Sequence, residues 1–313
     1  MQPNFNMQKM METHLKNRTA LRSLFIVTAV LILLTATDFV SNSAFAGLSF
    51  TEGNKANIPR LPDDLPRHAL VVGVGSYGAN QFKGVIADAV EIAKFLHKYG
   101  FQVTLLKNPS QGKFSAAIDK FGKKLGQSKG LGFFYFAGVS MLVDGKMYFL
   151  PTGKILMDLS KQKTIRAAVS MEKLKNIFIA AKNPANMLVL DTNLNSHFKN
   201  QFNNQREIPP LPAPPNIIIA YAVQPGFQAL ENRKSRGQFT VHLLKHLGGE
   251  NLEIRKVLEL VRQGVMLETL EKQIPWYSSG LEKDFYFAQQ KPRKGLQVVP
   301  SRKGLPVVPG NTR

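Results

Sequence analysis

The sequence predicts an α/β sandwich, a mainly parallel sheet of about six strands with helices on both faces. From residue 67 onward, apolar runs too short for helices alternate with longer segments in which apolar residues recur at helical spacing. The short runs are apolar at consecutive positions, as central strands buried on both faces require. The composition, 44% hydrophobic and 20% charged over 313 residues, is that of a globular chain long enough for one large core. It excludes disorder and collagen-like repeats as the main state.

Ala69 to Gly73 forms the first strand, and Gly84 to Tyr99 the first helix, with Val85, Ala89, Ile92, Ala93, Phe95 and Leu96 on its apolar side. Strand Phe101 to Leu106, helix Ser110 to Leu125 and strand Leu131 to Phe136 follow. Asp144-Gly145 supplies the residues that tolerate positive φ in a two-residue hairpin turn. Beyond it lie helix Met171 to Ala181 and strands Met187 to Leu190 and Asn216 to Val223. Helices Gly237 to Leu247 and Leu252 to Leu270 and a last strand, Asp284 to Phe287, complete the order. Ile208 to Pro215 is proline-rich; proline fixes φ and lacks an N–H, so this segment is a stiff, exposed connector into the fifth strand.

The ends of the chain stand apart from that pattern. Lys9, Lys16, Arg18 and Arg22 precede an apolar run from Leu24 to Ala36, and Ala44-Phe45-Ala46 offers the small residues a signal peptidase accepts. Residues 1–46 therefore read as an export signal, leading to the periplasm or the extracellular space. The alternative is an uncleaved inner-membrane anchor over residues 24–37, which the shortness of the run disfavours. Residues 47–65 are a linker. The tail, 289–313, holds two near-copies of one motif, Arg293 to Ser301 and Arg302 to Gly310, with basic residues and no acid. It reads as a solvated terminus or as a basic strip with polyproline-II character that docks on a partner.

Lys and Arg number 41 against 21 acids, a formal charge of +20. The leader carries four of the basic residues and two of the acids, so the mature chain keeps +18. That charge favours anionic partners, although no interleaved basic and aromatic motif points to nucleic acid. There is no cysteine, so disulfides, thiolate metal sites and a cysteine nucleophile are excluded together. Such a chain suits an oxidising compartment.

Gly73-Val74-Gly75-Ser76-Tyr77-Gly78 matches the dinucleotide pattern G-x-G-x-x-G after a strand. Its context argues against a nucleotide, because the helix starts several residues late and no acid ends the second strand at Leu106-Lys107-Asn108. His68 begins a strand, and His97, His242 and His246 fall on helices. His242 and His246 share a face, yet no nearby acid completes a metal set, so these histidines read as surface or packing residues. No acid cluster suggests calcium.

Several ordered strings resemble a known family. Arg67-His68-Ala69-Leu70-Val71-Val72-Gly73, Ala87-Asp88-Ala89 and Tyr99 to Leu106 are similar to the opening of a bacterial caspase-like domain, the peptidase C14 group that includes metacaspases and paracaspases. Phe133 to Gly138 resembles the strand leading into that family's Ala-Gly-His-Gly, and Leu188-Val189-Leu190-Asp191 the strand leading into its Asp-Ala-Cys-Arg. Ala220-Tyr221-Ala222, Ile274 to Ser279 and Asp284 to Phe287 match its last third. The resemblance covers residues 66–288 and implies a caspase-like α/β/α sandwich.

It also implies a cysteine endopeptidase, in which a histidine after the third strand assists a thiolate after the fourth. Here the histidine position is Val139 and the cysteine position Asn193, 54 residues apart against the roughly 50 usual between the caspase pair. Valine cannot move a proton, and an asparagine amide is no usable nucleophile. The glycine after the histidine is replaced by Ser140. Ser140, Thr192 and Ser196, with His197 nearby, could rebuild a hydroxyl nucleophile and its base only with a geometry that nothing in the sequence supplies.

In metacaspases and paracaspases, acids near the first helix and before the cysteine line a pocket for Arg or Lys; the matching positions are Asp88 and Asp191, while Gln228 is neutral where some paracaspases carry a third acid. A carboxylate pair attracts a basic side chain. Equally, Asp88 could serve the dipole at its helix start and Asp191 could bind loop amides.

The leading expectation is an exported pseudoprotease that acts by binding a basic peptide segment, an active homologue or an anionic surface, without a cofactor. The alternatives are an active Arg/Lys-specific hydrolase with a rewired, non-cysteine nucleophile, and a binder of nucleic acid or anionic lipid. Relatives differ in whether they pair through the last strand, and these residues do not choose.

Overall fold

A computed structural model describes residues 59–78, 80–153, 161–194, 212–224 and 236–288. All fall within one unit, 58–313. Residues 1–46, read above as an export signal, the repeated tail, Ser196, His197 and Gln228 lie outside the described residues.

Strand β1 (Arg67–Gly73) is buried from His68 onward. It lies between β4 (Gln102–Lys107) and β5 (Leu131–Val143), parallel to both. The short strands β2 (Ser76–Tyr77) and β3 (Asn80–Gln81) form a separate small hairpin. β8 (Ala185–Leu194) and β9 (Ile217–Tyr221) extend the parallel sheet beyond β5, and β10 (Trp276–Ser279) closes that edge antiparallel to β9. The order is β10-β9-β8-β5-β1-β4, with β6 (Lys146–Phe149) and β7 (Val169–Ser170) added antiparallel beside the far end of β5. The expected sheet of about six strands is thus present as that path, within an eight-stranded sheet.

The helices divide between its faces. α1 (Lys83–Lys98), α5 (Gln238–Leu247) and α6 (Ile254–Glu268) cover one side, whose core joins Val71, Tyr135, Val189, Ile92, Leu243 and Val261. α2 (Gln111–Ser128), α3 (Lys161–Ala167) and α4 (Met171–Ala181) cover the other, around Leu70, Phe134, Leu188, Phe114 and Phe178. The helix starts are capped from the sequence at two places: Ser170 Oγ accepts from Glu172 N at 3.2 Å, and the Glu253 carboxylate accepts from Arg255 N at 2.8 Å. Asp144 and Gly145 both take positive φ, 47° and 72°, so the β5–β6 turn is the expected two-residue type.

One element differs from the sequence expectation. Asp284 to Phe287 is not a strand; the segment makes only isolated bridges, Arg60 to Asp284 and Glu253 to Tyr286. The sixth strand is Trp276–Ser279 instead. Phe285 and Phe287 are buried and Tyr286 points outward, so the segment has strand periodicity. Its backbone nevertheless serves loops and the start of α6, where Ile254 N donates to Phe285 O at 2.9 Å.

Candidate functional site

Strands β5 and β8 run parallel in a register that makes Val139 and Asn193 direct cross-strand neighbours, beside Ala137 with Asp191 and Gly138 with Thr192. The two positions that the caspase-like resemblance assigns to histidine and cysteine therefore stand side by side at the C-terminal end of the sheet, where parallel α/β sheets carry their sites.

The surroundings of Val139 are closed. Ala137 belongs to the core under α1, α5 and α6, whereas Val139, two residues on, packs in the opposite core. Strand alternation would put both on one face. The change occurs at Gly138, with φ +155°, and a Cβ there would meet Tyr77 Oη at 2.7 Å and Val74 O at 3.1 Å. Tyr77, only 2% exposed, accepts from Val139 N at 2.8 Å and donates to Leu150 O at 3.2 Å. Burial raises its pKa far above the ordinary phenol value, so the hydroxyl keeps its proton and its donor role. Ser140 is fully buried, and its Oγ has no hydrogen-bond partner among the described residues. Thr192 is 8% exposed.

The two acids do come together, around the first turn of α5. Asp88 lies in the second turn of α1, not at its start, so it is no dipole partner of its own helix. Its Oδ2 accepts from Gly237 N at 2.8 Å, capping α5, whose N-cap residue Gly237 has no side chain to do so. Its Oδ1 takes Arg236 Nε at 3.2 Å. Asp191 accepts from Thr240 Oγ1 at 2.9 Å and from Tyr135 Oη at 3.4 Å, and those two hydroxyls lie 2.7 Å apart. Both carboxylates have zero exposure. Asp88 thus already holds a guanidinium from its own chain, and Asp191 binds the side-chain hydroxyls of Thr240 and Tyr135.

Sequence reasoning missed Arg236, Tyr77, Thr240 and Tyr135. An Arg-Gly pair just before a predicted helix was a signal for the first, since a glycine N-cap needs an acceptor from elsewhere. Nothing local marked the other three.

The glycine-rich string is occupied as well. Asn108, at φ 47°, points Oδ1 at Gly75 N (2.8 Å) and Ser76 N (3.1 Å), taking the amides a pyrophosphate would need. His68 and His242 are buried, while His97 is exposed. His242 Nε2 lies 3.2 Å from Glu268 Oε1, and its ring stacks on His246 at 6.2 Å. Among the described residues no group of three or more His, Asp or Glu is placed to hold a metal ion, and no helix is long and apolar enough to cross a membrane.

Residues 66–286 match the caspase domain family, peptidase C14. Among curated proteins none matches the chain. Among solved structures, caspase-1 from Spodoptera frugiperda is similar in fold, with a TM-score of 0.53 at 17% identity, over 75% of this chain and 97% of that one.

Proposed function

The chain belongs to the caspase domain family, and from that premise we propose that it is a non-hydrolysing member that acts by binding. The observation that carries this reading is the register of β5 on β8, which sets Val139 against Asn193 where the family resemblance calls for histidine and cysteine. With no cysteine anywhere in the chain, the thiolate step has no nucleophile. A hydroxyl substitute draws no support from Ser140, because a fully buried side chain cannot meet a peptide carbonyl. The leader over residues 1–46 supports export as the setting for this role.

Three modes of binding were expected: a basic peptide segment, an active homologue or an anionic surface. The first requires Arg236 to leave Asp88, since the buried carboxylate already bonds that guanidinium. The third draws support from the net charge of +18 left after the leader, which carries four basic and two acidic residues.

Cleavage of short peptides ending in Arg or Lys, compared between the mature chain and a Val139→His/Asn193→Cys variant, tests the reading. The expected result is no turnover by the unmodified chain. Turnover that survives purification and is abolished by one site substitution would overturn it.

A further inference from the structure

The lysines that give the domain its charge are unevenly placed. Helices α2, α3 and α4 carry nine Lys or Arg residues and two acids, whereas α1, α5 and α6 carry seven and four. Both acids of the first set are already neutralised within it: Lys173 Nζ lies 2.8 Å from Asp119, and Lys175 Nζ lies 2.7 Å from Glu172. Lys113, Lys120, Lys123 and Lys182 are exposed and have no anionic partner among the described residues.

One of them, Lys123, lines an open trough, and the others belong to the same helical layer. Where α2 crosses α4, Gly122 brings the helices close, since a Cβ there would touch Ile177 at 2.7 Å. One turn on, Gly126 faces open space. The result is a groove of about 570 Å³ with a floor of Gly122, Gly126, Ile177, Ala180 and Ala181, lined also by Lys123 and by Asp119, whose carboxylate is paired with Lys173. Ile179 stands beside it, 48% exposed.

We propose that this groove is the docking site for an acidic, amphipathic polypeptide segment of another protein, its apolar residues in the trough and its carboxylates on the lysines. This gives a surface and a partner class to the binding role proposed above, and rests on that reading. The concave floor favours a polypeptide over a bilayer, which needs protruding apolar side chains. None of the large exposed hydrophobic side chains among the described residues is aromatic, so a base-stacking platform for single-stranded nucleic acid is lacking there. The occupant is not this chain's own tail, because residues 289–313 contain no acid. Apolar contact supplies affinity, while Lys123 and the positive charge of the layer around it supply orientation and a salt-sensitive on-rate.

The test uses the mature chain and a fluorescent helical peptide with one face of Leu and one of Glu. Expected is saturable binding that weakens with salt. It falls about tenfold or more in Gly126→Leu, which fills the trough while improving helix propensity, and likewise in Lys120→Glu/Lys123→Glu. The matched charge reversal Lys83→Glu/Lys245→Glu on the opposite layer leaves it unchanged. Three results would overturn the proposal: no binding, equal binding of a Leu-scrambled peptide, or equal loss in both charge reversals. So would binding of phosphatidylglycerol vesicles or oligothymidine, but not the peptide, through the same lysines. The assay reads binding alone, so its failure is separable from a positive hydrolysis assay, which bears on the reading it rests on.

Discussion

Under α1, α5 and α6 the protein buries two carboxylates, whereas under α2, α3 and α4 its core holds a stack of phenyl rings and its charge stays outside. On the first side Asp88, Asp191, Tyr135 and Thr240 all have zero exposure and bond one another or the start of α5. On the second, Phe114 packs on Phe134, Phe136 and Phe149 with centroids 5.9 to 6.5 Å apart, and the lysines face solvent. The comparison teaches where each kind of chemistry is available. Buried carboxylates that cap a helix and hold a guanidinium are committed to position, because uncoupling them exposes the cost of burying a polar group. Surface lysines without partners are uncommitted, and a ligand can use them.

The largest effect should come from the apolar side. Phe114→Ala should cost about 3–5 kcal/mol in urea unfolding, through lost transfer energy and the cavity left behind. Asp88→Ala should follow at about 2–3 kcal/mol, since Gly237 N loses its acceptor while the half-exposed Arg236 can turn to water. Asp88→Asn, which keeps an acceptor, should recover part of that. If Asp88→Ala proves the costlier change, the polar network and not the packing holds the two layers, and the contrast as drawn fails.

Tyr77→Phe should cost about 1–3 kcal/mol, because Val139 N and Leu150 O lose a buried partner together. An unchanged melting midpoint would show that the closed surroundings of Val139 do not depend on this hydroxyl.

Each layer also holds one histidine whose pKa burial depresses below 6.5. For His68, Lys124 on α2 adds to the desolvation; for His246, Lys245 and then His242 do so. A depressed histidine adds stability above its unfolded value and loses it as pH falls through the folded one. Unfolding free energy should therefore drop on acidification below about pH 6.5, and His246→Gln should flatten that slope. A slope left intact in that variant would assign the whole effect to the other layer. The smallest change is expected from Lys120→Glu/Lys123→Glu, under about 0.5 kcal/mol in stability, which separates docking from folding.

Much of the architecture was legible in the residues. The helix from Met171 to Ala181 has the bounds the sequence predicts, and the strand from Ala69 to Gly73 differs only in starting two residues earlier. Both are cases in which periodicity or an unbroken apolar run is a local property of the chain. Asp284 to Phe287 misled because alternation reports burial on one side, and a buried loop can alternate as well as a strand does. Trp276–Ser279 lacked that signal, since an edge strand is only half-buried. At the site, the spacing of Val139 and Asn193 carried over into direct cross-strand contact of the two positions. The partners of the acids were not legible, because Arg236 lies 148 residues from Asp88 and Tyr135 lies 56 from Asp191.

By itself, then, the sequence determined that no thiol exists anywhere in the chain and which layers form, since its unbroken apolar runs assign strands and its 3.6-residue period assigns helices. Only the tertiary structure decided what the remaining polar groups do. It turned Val139 away at Gly138, put Arg236 on Asp88 and left a glycine-floored groove beside Lys123 where α2 crosses α4. Composition and period act along the chain. Hydrogen bonds and packing act between residues that only the completed sheet brings within a few ångströms of each other.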